Sequence, residues 1–388
     1  MSDKILDCSD IDQYLGKPMQ PARTRDVVAS SDIRRWVQGM HYPNRLHYDD
    51  DFAAESRYAR IVAPQSFPVA TDDGHGAAPC CVGAIPNSHL IFGGDEWWFH
   101  GPKVFAGDLI RNERVPFDYV VKETKFAGQT CFQRGDNMYY NQKNEKIATQ
   151  RSTSIRYLAE AAREMGSLKG TEDPVWTREQ LAELEEKKFD YVKTLHALGH
   201  GKRYWDDIKV GDKLPTRIFG PHSIASFATE WRAYAFTIWG TMHRRTDLDL
   251  EALGFTKDMA GHENDPVMER QNPELTDGAY FGPSRGHLFP EWARTIGMPR
   301  AYGYGASMGA WIIDYFAGWA GEWGRVVHCN SAYRGPAFSG DITIMDATVI
   351  DKRVDEEGRA IVQVDCKMSN QLGTVMATAK AEIELPKK

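Results

Sequence analysis

The sequence predicts an α+β fold laid down twice along one chain. Two observations carry that reading. Phe105-Ala106-Gly107-Asp108 is followed by Asn141-Gln142 and Ala148-Thr149, and Phe338-Ser339-Gly340-Asp341 is followed by Asn370-Gln371 and Ala377-Thr378, with the same step from Asn to Ala. In each copy helical patterns come first and strand patterns last, the order of an α+β unit with an antiparallel sheet, not of alternating βαβ units. At 388 residues the chain has room for two domains of ordinary size.

Each copy opens with a polar cap before apolar residues at helical spacing: Ser30-Ser31-Asp32 before Ile33 to Val37, and Ser223 before Ile224 to Ala228. Each closes in strand-like sequence. The first copy offers Asp118 to Lys122 and Ser152 to Tyr157. The second offers Ile342 to Met345, Ala360 to Val364 and Ala381 to Leu385, with a hairpin turn at Asp355 to Gly358. Between them Thr177-Arg178-Glu179-Gln180 is a capping box that leads into a charged linker helix. These signals predict a first domain over 1–160, a helical linker over 161–202 and a second domain over 203–388. A Gly-, Pro- and charge-rich insertion of about 244–283 lies inside the second domain.

Gly305 to Ala317 is apolar nearly all round and predicts a buried helix. The equivalent stretch of the first copy, Ala63 to Cys81, is broken by Pro68, Gly74, Gly76 and Pro79, so its helix should be short or distorted. That asymmetry leaves space beside the first copy's sheet. Aromatic residues gather at Trp97-Trp98, Trp231 to Tyr234 and Trp311 to Trp323. Core packing accounts for most of them, and a broad apolar pocket is the alternative.

Composition narrows the function classes. With 42% hydrophobic and 26% charged residues the chain is globular, and a net charge of -7 without a dense basic run argues against a nucleic-acid surface. No apolar span approaches membrane length, and the polar first twenty residues lack a secretory core. The six cysteines are scattered and lack a Cys-x-x-Cys, which fits reduced thiols in a cytoplasmic protein. His243, His262, Glu263 and Asp265 are ligand types, but their spacing fits no metal template, so no metal is expected. Gly303-x-Gly305 lacks the third glycine and the βαβ context of a dinucleotide site.

Upstream of the repeated Gly-Asp each copy carries a His with an Ala six residues on, His47 with Ala53 and His287 with Ala293. Tyr42-Pro43-Asn44-Arg45-Leu46-His47-Tyr48-Asp49 resembles the Asp-x-Asn-Pro-x-His-x-Asp loop of the MaoC-like dehydratases, the (R)-specific enoyl-CoA hydratases, keeping the Asn, the His and the second Asp. The resemblance covers nearly the whole chain, with a FAS1-like dehydratase first half. It implies a double hot-dog fold: two antiparallel sheets, each wrapped around a central helix.

The activity implied is reversible addition of water across the double bond of a 2-enoyl thioester, with a bulky acyl group and CoA as part of the substrate. No other cofactor is implied. The resemblance places His47 and His287 in acid–base roles, Asn44 as the orienting partner of His47 and Asp49 as a supporting carboxylate, and the insertion offers Asp277, the nearest acid upstream of His287, as another. Gly303, Gly305 and Ser307 would meet the substrate, Gly305 as a backbone donor; a glycine-rich helix start reads equally well without a ligand. The chain departs from the pattern at the usual catalytic Asp, replaced by Tyr42 and Gly282. Either His can therefore be a satisfied structural residue. Two rival readings stay open: a non-catalytic acyl-binding subunit of a heteromeric hydratase, and a hot-dog thioesterase. The resemblance also implies a homodimer or higher oligomer, with neither nucleic acid nor membrane as partner.

Overall fold

The structure is a computed structural model that describes residues 6–20, 27–71, 76–168, 172–231, 233 and 285–388. The insertion expected over 244–283, with Asp277, lies outside these residues.

Among the described residues nine strands form one antiparallel sheet: β1 (Ser88–Phe99), β2 (Arg111–Thr124), β3 (Gly128–Tyr140), β4 (Lys146–Leu158), β5 (Arg217–Phe219), β6 (Arg325–Tyr333), β7 (Thr343–Val354), β8 (Ala360–Ser369) and β9 (Val375–Glu384). Their order is β2-β3-β4-β1-β6-β9-β8-β7-β5. The expectation of two separate sheets is corrected here. β1 pairs with β6 from Gly94↔Ala332 to Trp98↔His328, so the sheets of the two copies run into one. Each of these strands presents a free edge, and mutual pairing satisfies both rows of backbone groups.

The helix from Gly305 to Ala320, the central helix, is buried continuously from Ala306 to Phe316. It packs on β6, β1 and β9, that is, on strands of both copies. Its all-round apolar sequence is what lets it sit there. The first copy has two 3-10 turns in its place, Phe67–Thr71 and Ala78–Cys80. Pro68 and Pro79 lack the N–H that a longer helix would use. The linker helix, Arg178–Ala197, starts at the reciprocal Thr177/Gln180 box, and most of its side chains face solvent.

The sequence repeat has a local physical cause in each copy. Asn141 and Asn370 each accept two backbone N–H bonds at 3.0 Å across a tight turn. The next residue donates to the repeated aspartate: Gln142 to Asp108 and Gln371 to Asp341, both 2.8 Å. Gly107 and Gly340 turn with φ of 93° and 85°, where a side chain would be strained. The motif therefore pins the hairpin turn onto the loop that leads into β2 in the first copy and β7 in the second.

Candidate active site

The two histidines are held in the same way. His47 Nδ1 lies 2.6 Å from the Val62 carbonyl, and His287 Nδ1 lies 2.6 Å from the Tyr302 carbonyl. A carbonyl accepts and never donates, so each Nδ1 carries the proton and each Nε2 keeps a lone pair. Both rings are buried, and burial pushes both down to about 4, against the partial compensation of the carbonyl bond. Each is a neutral imidazole at pH 7 with an unprotonated Nε2. The correspondence extends to the next residue, since Ala63 donates to Val104 and Gly303 to Ala337.

The surroundings of the two rings differ. His287 stacks on Tyr304, centroids 3.9 Å apart, immediately before the first turn of the central helix. The N–H groups of that turn, Gly305 to Ser307, have no acceptor within the helix and collect its positive dipole end. Gly305 must be a glycine, because a Cβ there would stand 2.5 Å from the Cβ of Phe92 on β1. Gly303 fits against Phe227, 2.9 Å from where a Cβ would be, and its N–H is spent on Ala337. Of the two, the first serves close packing while keeping its N–H open, and the second is not an available donor.

In the first copy Gln65 takes the place of Gly305. Its amide bonds Val326 in both directions, at 3.0 and 2.9 Å. The chain beyond Gln65 forms only the short 3-10 turn Phe67–Thr71, which has no comparable dipole. The residues expected to support His47 make the following contacts. Asn44 accepts from Leu46 N–H at 3.1 Å and so caps the turn that carries His47, while Val62 and the stacked Tyr42 ring hold the imidazole. Asp49 accepts from Phe52 N–H and pairs with Arg45 at 2.8 Å, which makes it a helix cap rather than a partner of His47.

The residue that sequence reasoning missed is Glu230. It is fully buried, and neither carboxyl oxygen has a hydrogen-bond partner among the described residues. Burial pushes it up to about 8, slightly offset by the nearby Ser307 hydroxyl, so it is a neutral acid at pH 7. The matched hydrogen bonds of the two copies show how unusual this is. Val28 exchanges bonds with Gly107 and Asp108 as His222 does with Gly340 and Asp341, so Glu230 stands where the first copy has Trp36. Trp36 donates to Ser66, which donates to the buried Asp314. His89 of β1 adds a third group from the other copy. Its buried Nε2 has no partner among the described residues, and His287 is its titratable neighbour.

Residues 14–150 match the family model of the FAS1-like, dehydratase domain region. A structure described as a MaoC-like dehydratase aligns over 97% of this chain and all of its own, with TM-score 0.60 and 15% identity. A putative MaoC domain protein dehydratase from Chloroflexus aurantiacus aligns over 100% of both chains, with TM-score 0.53 and 12% identity. A conserved hypothetical protein from Mycobacterium tuberculosis, described as a double hotdog fold, aligns over 96% of this chain and 97% of its own, with TM-score 0.53 and 10% identity. The chain folds as a double hot dog. No curated protein matches it in sequence.

Within this double hot dog the second copy brings together His287, the open helix start at Gly305 to Ser307, and Glu230. The first copy keeps its histidine without the helix or the acid. Among the described residues no cluster of metal-ligand types occurs and no helix is long and apolar enough to cross a membrane.

Proposed function

We propose that the chain is a hydratase or dehydratase of acyl thioesters, with its chemistry in the second copy. One observation carries this: two buried groups whose environments push them in opposite directions, His287 and Glu230, border the same helix start. Such a divergence separates a base from an acid at one pH. In hydration, the Nε2 of His287 takes a proton from water as the water oxygen bonds to Cβ. The double-bond electrons move toward the thioester carbonyl, whose growing negative charge meets the N–H groups of Gly305 to Ser307. Glu230 gives its proton to Cα, and the proton on His287 returns to Glu230 through solvent, leaving the enzyme unchanged. Glu230 thus stands in for the acid missing at Tyr42 and Gly282. Water addition of this kind needs no redox cofactor, and CoA enters as part of the substrate.

Incubating the purified chain with a panel of 2-enoyl-CoA thioesters of increasing bulk tests this reading. Loss of the enoyl absorbance with CoA retained is the expected result. Release of free thiol points instead to a thioesterase, and no turnover of any thioester points to a binding subunit.

A further inference from the structure

The first copy's counterpart of this site has taken on a different character. Ala63, Pro64 and Gln65, which stand where the second copy has Gly303, Tyr304 and Gly305, line a cleft with Pro68, Lys103 and Arg325. Its free space is small, ≈ 20 Å³, room for about one water-sized group. The cleft is cationic in a chain whose net charge is -7.

Lys103, partly buried in the loop between β1 and β2, has no ion-pair partner among the described residues. Burial first, then Arg325 and Arg57, push its ammonium down to about 8, and Glu384 is the acid that opposes them. Glu384 is already bound by Arg325, 2.6 Å between Nε and Oε2. The Arg57 guanidinium lies over the rings of Tyr58 and Trp323 rather than against a carboxylate. The neutral His47 ring also interacts with Lys103, and beyond Arg325 the next groups are His100 and Lys146. An ammonium held among like charges is destabilised until an anion reaches it.

We infer that this cleft binds an oxyanion group, a carboxylate or a phosphate, through Lys103 and Arg325. Its free space takes one oxygen of such a group and not a whole coenzyme. The site is separate from the second copy's chemistry, so it stands whether or not the hydratase reading does.

Calorimetric titration of the full chain with acetate and with sulfate, near pH 8 in two buffers of different ionisation enthalpy, tests the assignment. Neither anion titrates there, so any proton taken up enters the protein. Burial lowers the Lys103 ammonium into this pH range, and a bound anion restores its proton, which predicts net proton uptake on binding. Lys103→Met should weaken the preferred anion by about tenfold or more. Lys103→Arg should bind the anion without proton uptake, because a guanidinium has no proton to regain. Tighter acetate identifies a carboxylate site, and tighter sulfate a phosphate site. Absence of binding by both anions, unchanged affinity in Lys103→Met, or uptake that persists in Lys103→Arg would overturn the assignment.

Discussion

Replacing Glu230 by Gln should stabilise the protein at alkaline pH. Burial moves this carboxyl from an ordinary 4.5 to about 8 in the folded chain. Between those two values the folded state keeps a proton that the unfolded state has released. Stability contributed by the neutral acid is therefore complete below about 4.5 and is lost as pH rises toward 8, by up to about 1.4 kcal/mol per unit. From pH 5 to pH 8 this amounts to about 3 kcal/mol, a large share of the roughly 5–15 kcal/mol that holds a typical domain together. Gln fills the same space and cannot ionise. Glu230→Gln should thus match wild type near pH 5 and exceed it by about 3 kcal/mol at pH 8. Urea titrations of both proteins at a series of pH values, compared by midpoint at constant slope, measure the gap. Asp95 and Asp314, pushed up to about 7 by burial, also tilt each curve, but they are present in both proteins and cancel in the difference. A gap that stays constant with pH would refute the picture of Glu230 as a buried neutral acid.

The same arrangement has kinetic consequences. His287→Ala should reduce enoyl-CoA hydration by about 100- to 10,000-fold, whereas His47→Ala should leave kcat/KM close to wild type, measured by loss of enoyl absorbance. The pH–rate profile should be bell-shaped, falling near 4 as His287 protonates and near 8 as Glu230 ionises; Glu230→Gln should remove the alkaline limb from what activity remains. Gly305→Ala should cost about 1–3 kcal/mol in denaturant titrations, because its methyl meets the Cβ of Phe92, and Phe92→Ala in the same chain, which keeps that Cβ, should recover little of the loss. Ser66→Ala removes the hydroxyl shared by Trp36 and Asp314 and should lower stability by about 1–3 kcal/mol in the same assay.

The duplication and the matched histidines were legible in the sequence because both rest on short-range chemistry. An Asn that bridges its own turn and a Gln that reaches an Asp leave the same letters at the same spacing wherever they occur. The buried helix announced itself through an uninterrupted apolar face, and the prolines of the first copy foretold its loss. What stayed hidden depends on contacts between copies. Nothing local in β1 or β6 says that they will pair with each other. Nor does a lone Glu in a helical pattern look buried, since most such residues face water. Glu230 would have stood out against Trp36, three residues beyond Phe227 and Ile33 respectively, had the two capped helices been laid side by side.

The continuous sheet made by β1 and β6 also bears on how the two copies could come to differ. In an assembly of identical subunits every substitution is repeated on both sides of the symmetry axis, so a helix start cannot be opened in one site and stoppered in the other. Fusion into one chain removes that constraint. It fixes the neighbour of each half at a permanent one-to-one ratio and lets each half be mutated separately. Gln65 and Trp36 on one side, and Gly305 and Glu230 on the other, are differences that a symmetric pair could not have kept. The covalent link thus acts less as a stabiliser of the fold than as a licence for its two halves to specialise.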